Sequence, residues 1–151
     1  MSDPALELGP ALAAWLRADG DVIAAFAASS ATLKVLDKIP LPNTPKPYIF
    51  IDGVDDGETP AECLDATEAF LNIGIWSLPT DGDKAEARRI GKAVRKALAR
   101  MENDIGNSPE FTLAGFKVRG VYDVRTAYLT DPSDNKTIHG VLNATLSIDP
   151  V

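Results

Sequence analysis

The side chains best suited to catalysis are few, and their spacing matches no common catalytic motif. The chain of 151 residues has one histidine, His139, and one cysteine, Cys63. A nucleophile–base pair would require His139 to meet Cys63 or Ser77, and no neighbouring residue supports either pairing. A metal site that needs two or three histidine ligands is excluded. The sequence contains no Walker A loop, HExxH, CxxC or GxSxG. It therefore predicts a protein that is not an enzyme and that binds no cofactor.

Residues 52–63 begin like a calcium-binding loop but do not complete it. Acids stand at the first and fifth positions, Asp52 and Asp56, and Gly57 stands at the sixth. The third position is Val54, and the twelfth is Cys63 where a bidentate glutamate is needed. The sequence therefore predicts no metal site here.

Charged residues are more informative because the two signs are segregated along the chain. The net charge is −7, which argues against a nucleic-acid binder that works by coating phosphates. Residues 84–100 nevertheless carry seven bases and one acid, and residues 52–68 carry seven acids and no base. Each segment can be a solvated surface, or the two can be surfaces that meet charged partners.

The basic segment has the clearest secondary-structure signal. Its apolar residues follow helical spacing, at Ile90, Ala93, Val94, Ala97, Leu98 and Met101. This pattern predicts an amphipathic helix whose bases, among them Arg88, Lys92, Arg95 and Lys96, point away from the core. An earlier helix is signalled at Asp3-Pro4, and because Gly9-Pro10 interrupts its pattern, we expect either a kink there or a late start near residue 8.

The other segments indicate strands. Residues 66–77 alternate between two faces, and residues 116–129 and 137–149 predict a long C-terminal β-hairpin. Short strands are expected at residues 33–39 and 48–51, and a loop at residues 52–62. With no regular strand–helix alternation, the sequence predicts one α+β domain over residues 1–151. We expect a mostly antiparallel sheet with two main helices packed on one face.

The compartment follows from what the sequence lacks. No apolar stretch approaches the roughly 20 residues of a membrane span. The Met-Ser-Asp-Pro start has neither a basic region nor a cleavable apolar segment. We expect a cytoplasmic protein that does not contact membranes.

Several segments, taken in order, resemble one known family. They are Ser2–Leu6, the Pro47-Tyr48-Ile49 strand start, Ile75-Trp76-Ser77 with the following helix, Leu113–Phe116, Tyr128–Pro132 and Thr137–Leu142. This ordered set is similar to the small tail-completion proteins of long-tailed phages, prophages and gene transfer agents. Members of that family are described as tail terminators or tail-to-head joining proteins.

The resemblance implies a structural role in a virion. Such a protein would form a ring, usually hexameric, at the head-proximal end of the tail, where it stops tube polymerisation and meets the head connector. Its partners would be other copies of itself, the tail tube protein and a head connector or completion protein. DNA could pass through the ring without sequence-specific recognition. The chain would be assembled in the bacterial cytoplasm and reside in the virion tail or neck.

A ring subunit needs two different complementary surfaces, and the segregated charges predict them. We expect Asp55, Asp56 and Glu58 of one copy to face the basic helix of the next, at Arg88, Lys92, Arg95 and Lys96. Two alternatives remain open from the residues. One is a head-completion or connector protein, and the other is a small ligand-binding or enzymatic α+β domain.

Overall fold

The computed structural model describes residues 4–58, 67–79, 83–101, 111–113 and 116–150. Three helices and six strands lie within these ranges. In chain order they are α1 (Pro4–Ala18), α2 (Gly20–Ala28), β1 (Val35–Leu36), β2 (Tyr48–Glu58), β3 (Thr67–Ser77), α3 (Ala85–Ala99), β4 (Thr112–Leu113), β5 (Phe116–Thr130) and β6 (Ile138–Pro150). The predicted α+β class is confirmed.

The strands form one sheet in the order β1-β2-β3-β6-β5-β4. All neighbours are antiparallel except β1 and β2, which are parallel. The predicted C-terminal hairpin is the β5–β6 pair, which begins with Thr130 opposite Ile138. The four long strands β2, β3, β6 and β5 therefore form the centre of the sheet. The two-residue strand β1 lies outside β2, and the two-residue strand β4 lies outside β5.

The helices cover one face of the sheet. Alternate residues of β3, namely Ala69, Leu71, Ile73 and Ile75, are buried in a single core that also contains the apolar sides of α1, α2 and α3. The intervening residues Phe70 and Trp76 lie on the opposite, open face, where Phe70 is 44% exposed. The stripe predicted for α3 is confirmed, because all six of its apolar positions are buried.

Helix α1 continues through Pro10, where the sequence predicts an interruption. Proline at this position removes one intrahelical hydrogen bond. Leu8, Leu12 and Leu16 are nevertheless fully buried, and this packing holds the helix together across the proline. The apolar residues after Asp19 form a separate nine-residue helix, α2.

The prediction of a loop at residues 52–62 is wrong for its first seven residues. Strand β2 runs to Glu58 and pairs with β3 as far as Thr67, with a bulge between Ile51 and Gly53. Because β3 is 11 residues long, ending β2 at Ile51 would leave much of its backbone without a partner on that side. Residues 59–62 lie outside the described ranges. The strand expected at residues 33–39 is shorter, at Val35–Leu36.

Within the described residues, no helix is both long enough and apolar enough to cross a membrane.

Candidate interaction surface

A basic cleft lies between α3 and β5. We use this name for the open depression of about 690 Å³ lined by Arg88, Lys92, Arg95, Lys96, Ala99, Thr126, Ala127 and Tyr128. The four bases are exposed because the apolar stripe of α3 faces the core, which turns the opposite side of the helix to solvent. The structure thus brings together the four bases that the sequence singles out.

Tyr128 forms the floor between the helix and the sheet. Its ring lies against two glycines, one on each neighbouring element: a Cβ on Gly91 would overlap with the Tyr128 hydroxyl, and a Cβ on Gly140 would lie 3.1 Å from the ring. The guanidinium of Arg88 lies 4.9 Å from the ring centroid, a cation–π contact. Burial raises the pKa of the Tyr128 hydroxyl. The phenol therefore remains neutral at physiological pH.

Two further bases, Arg89 on α3 and Arg100 just after it, have partners within the chain. Arg100 forms ion pairs with Asp19 at 2.5 Å and with Asp21 at 3.0 Å, and these contacts raise the pKa of Arg100. Arg89 donates a hydrogen bond to the Ser29 hydroxyl. In the described part of the chain, none of the four cleft bases forms an ion pair with an acid. Their charge is therefore available to an external partner.

The acidic residues lie on β2, at the edge of the sheet opposite the basic cleft. Asp55, Asp56 and Glu58 belong to β2, where they pair with Phe70, Ala69 and Thr67 of β3. Strands β3 and β6 separate β2 from β5, which corresponds to about 14 Å across three strand spacings. The sheet therefore places these acids and the basic cleft of one chain at opposite edges.

The candidate catalytic pair Ser77 and His139 is not formed. Ser77 is buried on the helix-covered face and donates a hydrogen bond to the Glu86 carboxylate at 2.7 Å. His139 pairs with Trp76 on the open face, and the two rings stack with centroids 3.8 Å apart. Burial lowers the pKa of the His139 imidazole. Cys63 lies outside the described residues.

The beginning of the calcium-like segment is strand. Residues 52–57 belong to β2, and the later positions of that segment extend beyond the described residues. Among the residues that the structure describes, no group of three or more His, Cys, Asp or Glu side chains could hold a metal ion.

Sequence reasoning missed the β5 wall of the cleft, at Thr126, Ala127 and Tyr128. These residues follow Ala99 by at least 27 positions along the chain, and only the packing of α3 against the sheet brings them to the cleft. It also missed the stack on the open face, where Tyr48 lies 6.4 Å from Trp76, centroid to centroid. The alternation of β3 does predict that Trp76 and Phe70 share one face, and the structure confirms it.

Comparison with known proteins places the chain in a class of virion structural proteins. A family model described as "Tail completion protein gp17" matches residues 10–149. The chain therefore belongs to the gp17 family of tail completion proteins, as the resemblance in the sequence predicts.

The solved structures that are similar to this chain include one from a gene transfer agent particle and one from a bacteriophage. One is a chain of the "Virion of native gene transfer agent (GTA) particle", which is 17% identical, with 99% of both chains covered and a TM-score of 0.73. The other is gp17 of bacteriophage SPP1, which is 20% identical, with 91% of this chain and 90% of that chain covered and a TM-score of 0.47. The first comparison shows that this chain and the chain of the GTA particle share a fold. The search of curated proteins found no significant match.

Proposed function

We propose that this protein completes the head-proximal end of a long phage-like tail by forming a hexameric ring there. The ring terminates the tail tube and joins it to the head connector. The family match over residues 10–149 carries the proposal. The GTA virion whose chain shares this fold supports the virion context.

The distribution of charge suits a ring subunit. In a ring, each copy meets its two neighbours through two different surfaces. The basic cleft and the acidic residues Asp55, Asp56 and Glu58 lie at opposite edges of the sheet. Within one chain the two charged groups are too far apart to contact each other, so each can contact the oppositely charged group of a neighbouring copy. We assign the contact between subunits to these residues.

The partners follow from the position of the ring. One side of the ring contacts the last layer of the tail tube protein, and the other contacts the head connector or completion protein. DNA passes through the ring without sequence-specific recognition. The chain is assembled in the bacterial cytoplasm and resides in the tail or neck of the virion.

Deletion of the gene tests the role directly. We expect filled heads that are not joined to tails, together with tubes of irregular length, and we expect a plasmid copy of the gene to restore joined particles. Electron microscopy of negatively stained lysates distinguishes these outcomes. Normal joined, infectious or transducing particles from a clean deletion would overturn the proposal.

A further inference from the structure

Two long strands of the sheet are paired along only part of their outer sides. On the outer side of β2, β1 pairs with Ile49 and Phe50, and on the outer side of β5, β4 pairs with Phe116 and Lys117. Within the described residues, residues 53–58 of β2 and 125–130 of β5 have no strand beyond them. We call these two stretches the acidic edge and the basic edge. Open strand edges present backbone groups that can pair with another chain.

The two edges are equal in length and opposite in the sign of their charge. Each is six residues long and follows a bulge, so each pairs regularly with its inner neighbour. The acidic edge contains Asp55, Asp56 and Glu58. The basic edge contains Arg125 and forms the β5 wall of the basic cleft. Opposite charges on two such edges favour contact between different edges over contact between two copies of the same edge.

Groups on the basic edge also lack strand partners. The carbonyl of Tyr128 accepts a hydrogen bond from the Lys84 ammonium at 3.0 Å, so it points away from β6. Because backbone groups alternate in direction along a strand, those of Thr126 point outward as well. The hydroxyl of Thr126 is buried, and no hydrogen-bond partner is found for it among the described residues. A strand laid along this edge would reach the outward backbone groups of Thr126 and Tyr128.

The strand directions permit an antiparallel pair. Three successive antiparallel pairings separate β2 from β5, so the two strands run in opposite directions. Rotation about an axis roughly along the strands keeps these directions. A neighbour's β2 would therefore run antiparallel to β5.

The pair requires a stagger along the strands. The acidic edge lies at the end of the sheet near β4, and the basic edge lies at the end near β1. A neighbour must therefore be displaced along the strands by about five residues, or ~17 Å. Closed sheets have this kind of stagger because their strands tilt against the axis.

We propose that residues 53–58 of one copy form an antiparallel pair with residues 125–130 of the next, joining the sheets edge to edge. This inference rests on the proposed function, since it supplies the contact that builds the ring. The two faces of the joined sheets must be continuous, which restricts the register. Asp55 pairs with Phe70 on the open face, and Ala127 pairs with Val141 on the same face. Asp56 and Thr126 occupy positions on the helix-covered face, opposite Ala69 and Leu142.

Cysteine cross-linking in assembled tails tests the pairing. The background is the full chain with Cys63→Ser. Asp55→Cys is combined in turn with Arg125→Cys, Ala127→Cys and Leu129→Cys, which all lie on the open face. Asp56→Cys is combined with Thr126→Cys. The mixed-face pairs, Asp55→Cys with Thr126→Cys and Asp56→Cys with Ala127→Cys, are the matched controls.

Mild oxidation of purified tails is followed by non-reducing electrophoresis. We expect covalent dimers and higher ladders from the best-aligned same-face pairs and only background from the mixed-face pairs, because side chains alternate between faces along a strand. A contact between flexible charged side chains alone would not produce this alternation. Equal cross-linking of both sets, or none, in tails that assemble and join heads would overturn the edge pairing while leaving the proposed function standing. Absence of the chain from purified joined particles would overturn both.

Discussion

At the residue scale, the shape of the basic cleft depends on one aromatic ring. Tyr128 occupies the space that Gly91 on α3 and Gly140 on β6 leave open. Because Gly91 is inside a helix, it weakens that helix by about 1 kcal/mol relative to alanine. The close approach of Tyr128 explains why the position nevertheless carries glycine.

Gly91→Ala should destabilise the protein by about 1–3 kcal/mol, because the added methyl group displaces the Tyr128 ring from a packed site. Adding Tyr128→Phe should recover part of this loss, since the hydroxyl makes the closest contact. Gly20→Ala is a matched control: it is the first residue of helix α2, its added Cβ meets nothing within 4 Å, and it should stabilise the protein by about 0.4–1 kcal/mol. Chemical denaturation measures all three. Equal free energies of unfolding for Gly91→Ala and the parent chain would contradict this packing.

His139 should make stability depend on pH. Its burial against Trp76 lowers the pKa of the imidazole in the folded protein. Below about pH 6.5 the unfolded chain therefore binds a proton that the folded protein resists, so stability falls as the pH falls from 7 to 5. His139→Gln removes this titration. Thermal unfolding of both proteins across this range should give a smaller decrease in melting temperature for the variant, and parallel decreases would contradict the assignment.

At the element scale, α2 and the end of α3 are joined through one carboxylate. Asp19 caps α2 by accepting a hydrogen bond from the Val22 N–H at 3.0 Å, and it also pairs with Arg100 just beyond α3. Its side chain is 7% exposed, whereas that of Asp21, which also pairs with Arg100, is 46% exposed. The two aspartates therefore offer a matched comparison.

Asp19→Ala should cost about 2–4 kcal/mol, because it removes both a helix cap and a charge-assisted hydrogen bond. Asp21→Ala should cost less than about 1 kcal/mol, as expected for an exposed ion pair. Urea denaturation of the two variants measures the difference. Equal losses would contradict the linking role of Asp19.

The elements that sequence predicts best are those with a regular pattern bounded by clear turns. The stripe from Ile90 to Met101 predicts both the buried side of α3 and the exposed position of its bases, so half of the candidate site could be found without a structure. The β5 wall could not, because the approach of Tyr128 to Gly91 depends on packing between distant parts of the chain. Residues 53–58 of β2 were not predicted as strand because Asp55 and Asp56 have low strand propensity. Pairing with β3 overrides that preference.

At the scale of the whole molecule, the proposed ring contact depends on opposite charges at two edges of one sheet. Replacing Asp55, Asp56 and Glu58 by lysine should impair assembly, since it sets like charges against the basic cleft of the neighbour. Reversing Arg88, Lys92 and Arg95 to glutamate in the same chain should restore part of the yield. Each exposed pair contributes only about 0.2–1 kcal/mol, so the loss should be greatest at low salt.

The yield of joined particles, counted by electron microscopy over a range of salt concentrations, measures both sets of variants. The double reversal is the matched control, because it restores opposite charge while leaving both edges altered. Unchanged assembly of the lysine variant at low salt would contradict the contact.

The most direct measurement is an electron cryo-microscopy reconstruction of the junction between head and tail in complete particles. We expect six copies of this fold in one ring at the head-proximal end of the tube, between the last tube layer and the connector. Each copy should place residues 53–58 beside the basic cleft of the next. Complete, joined particles that lack this chain, or that carry it elsewhere in the virion, would contradict the central claim.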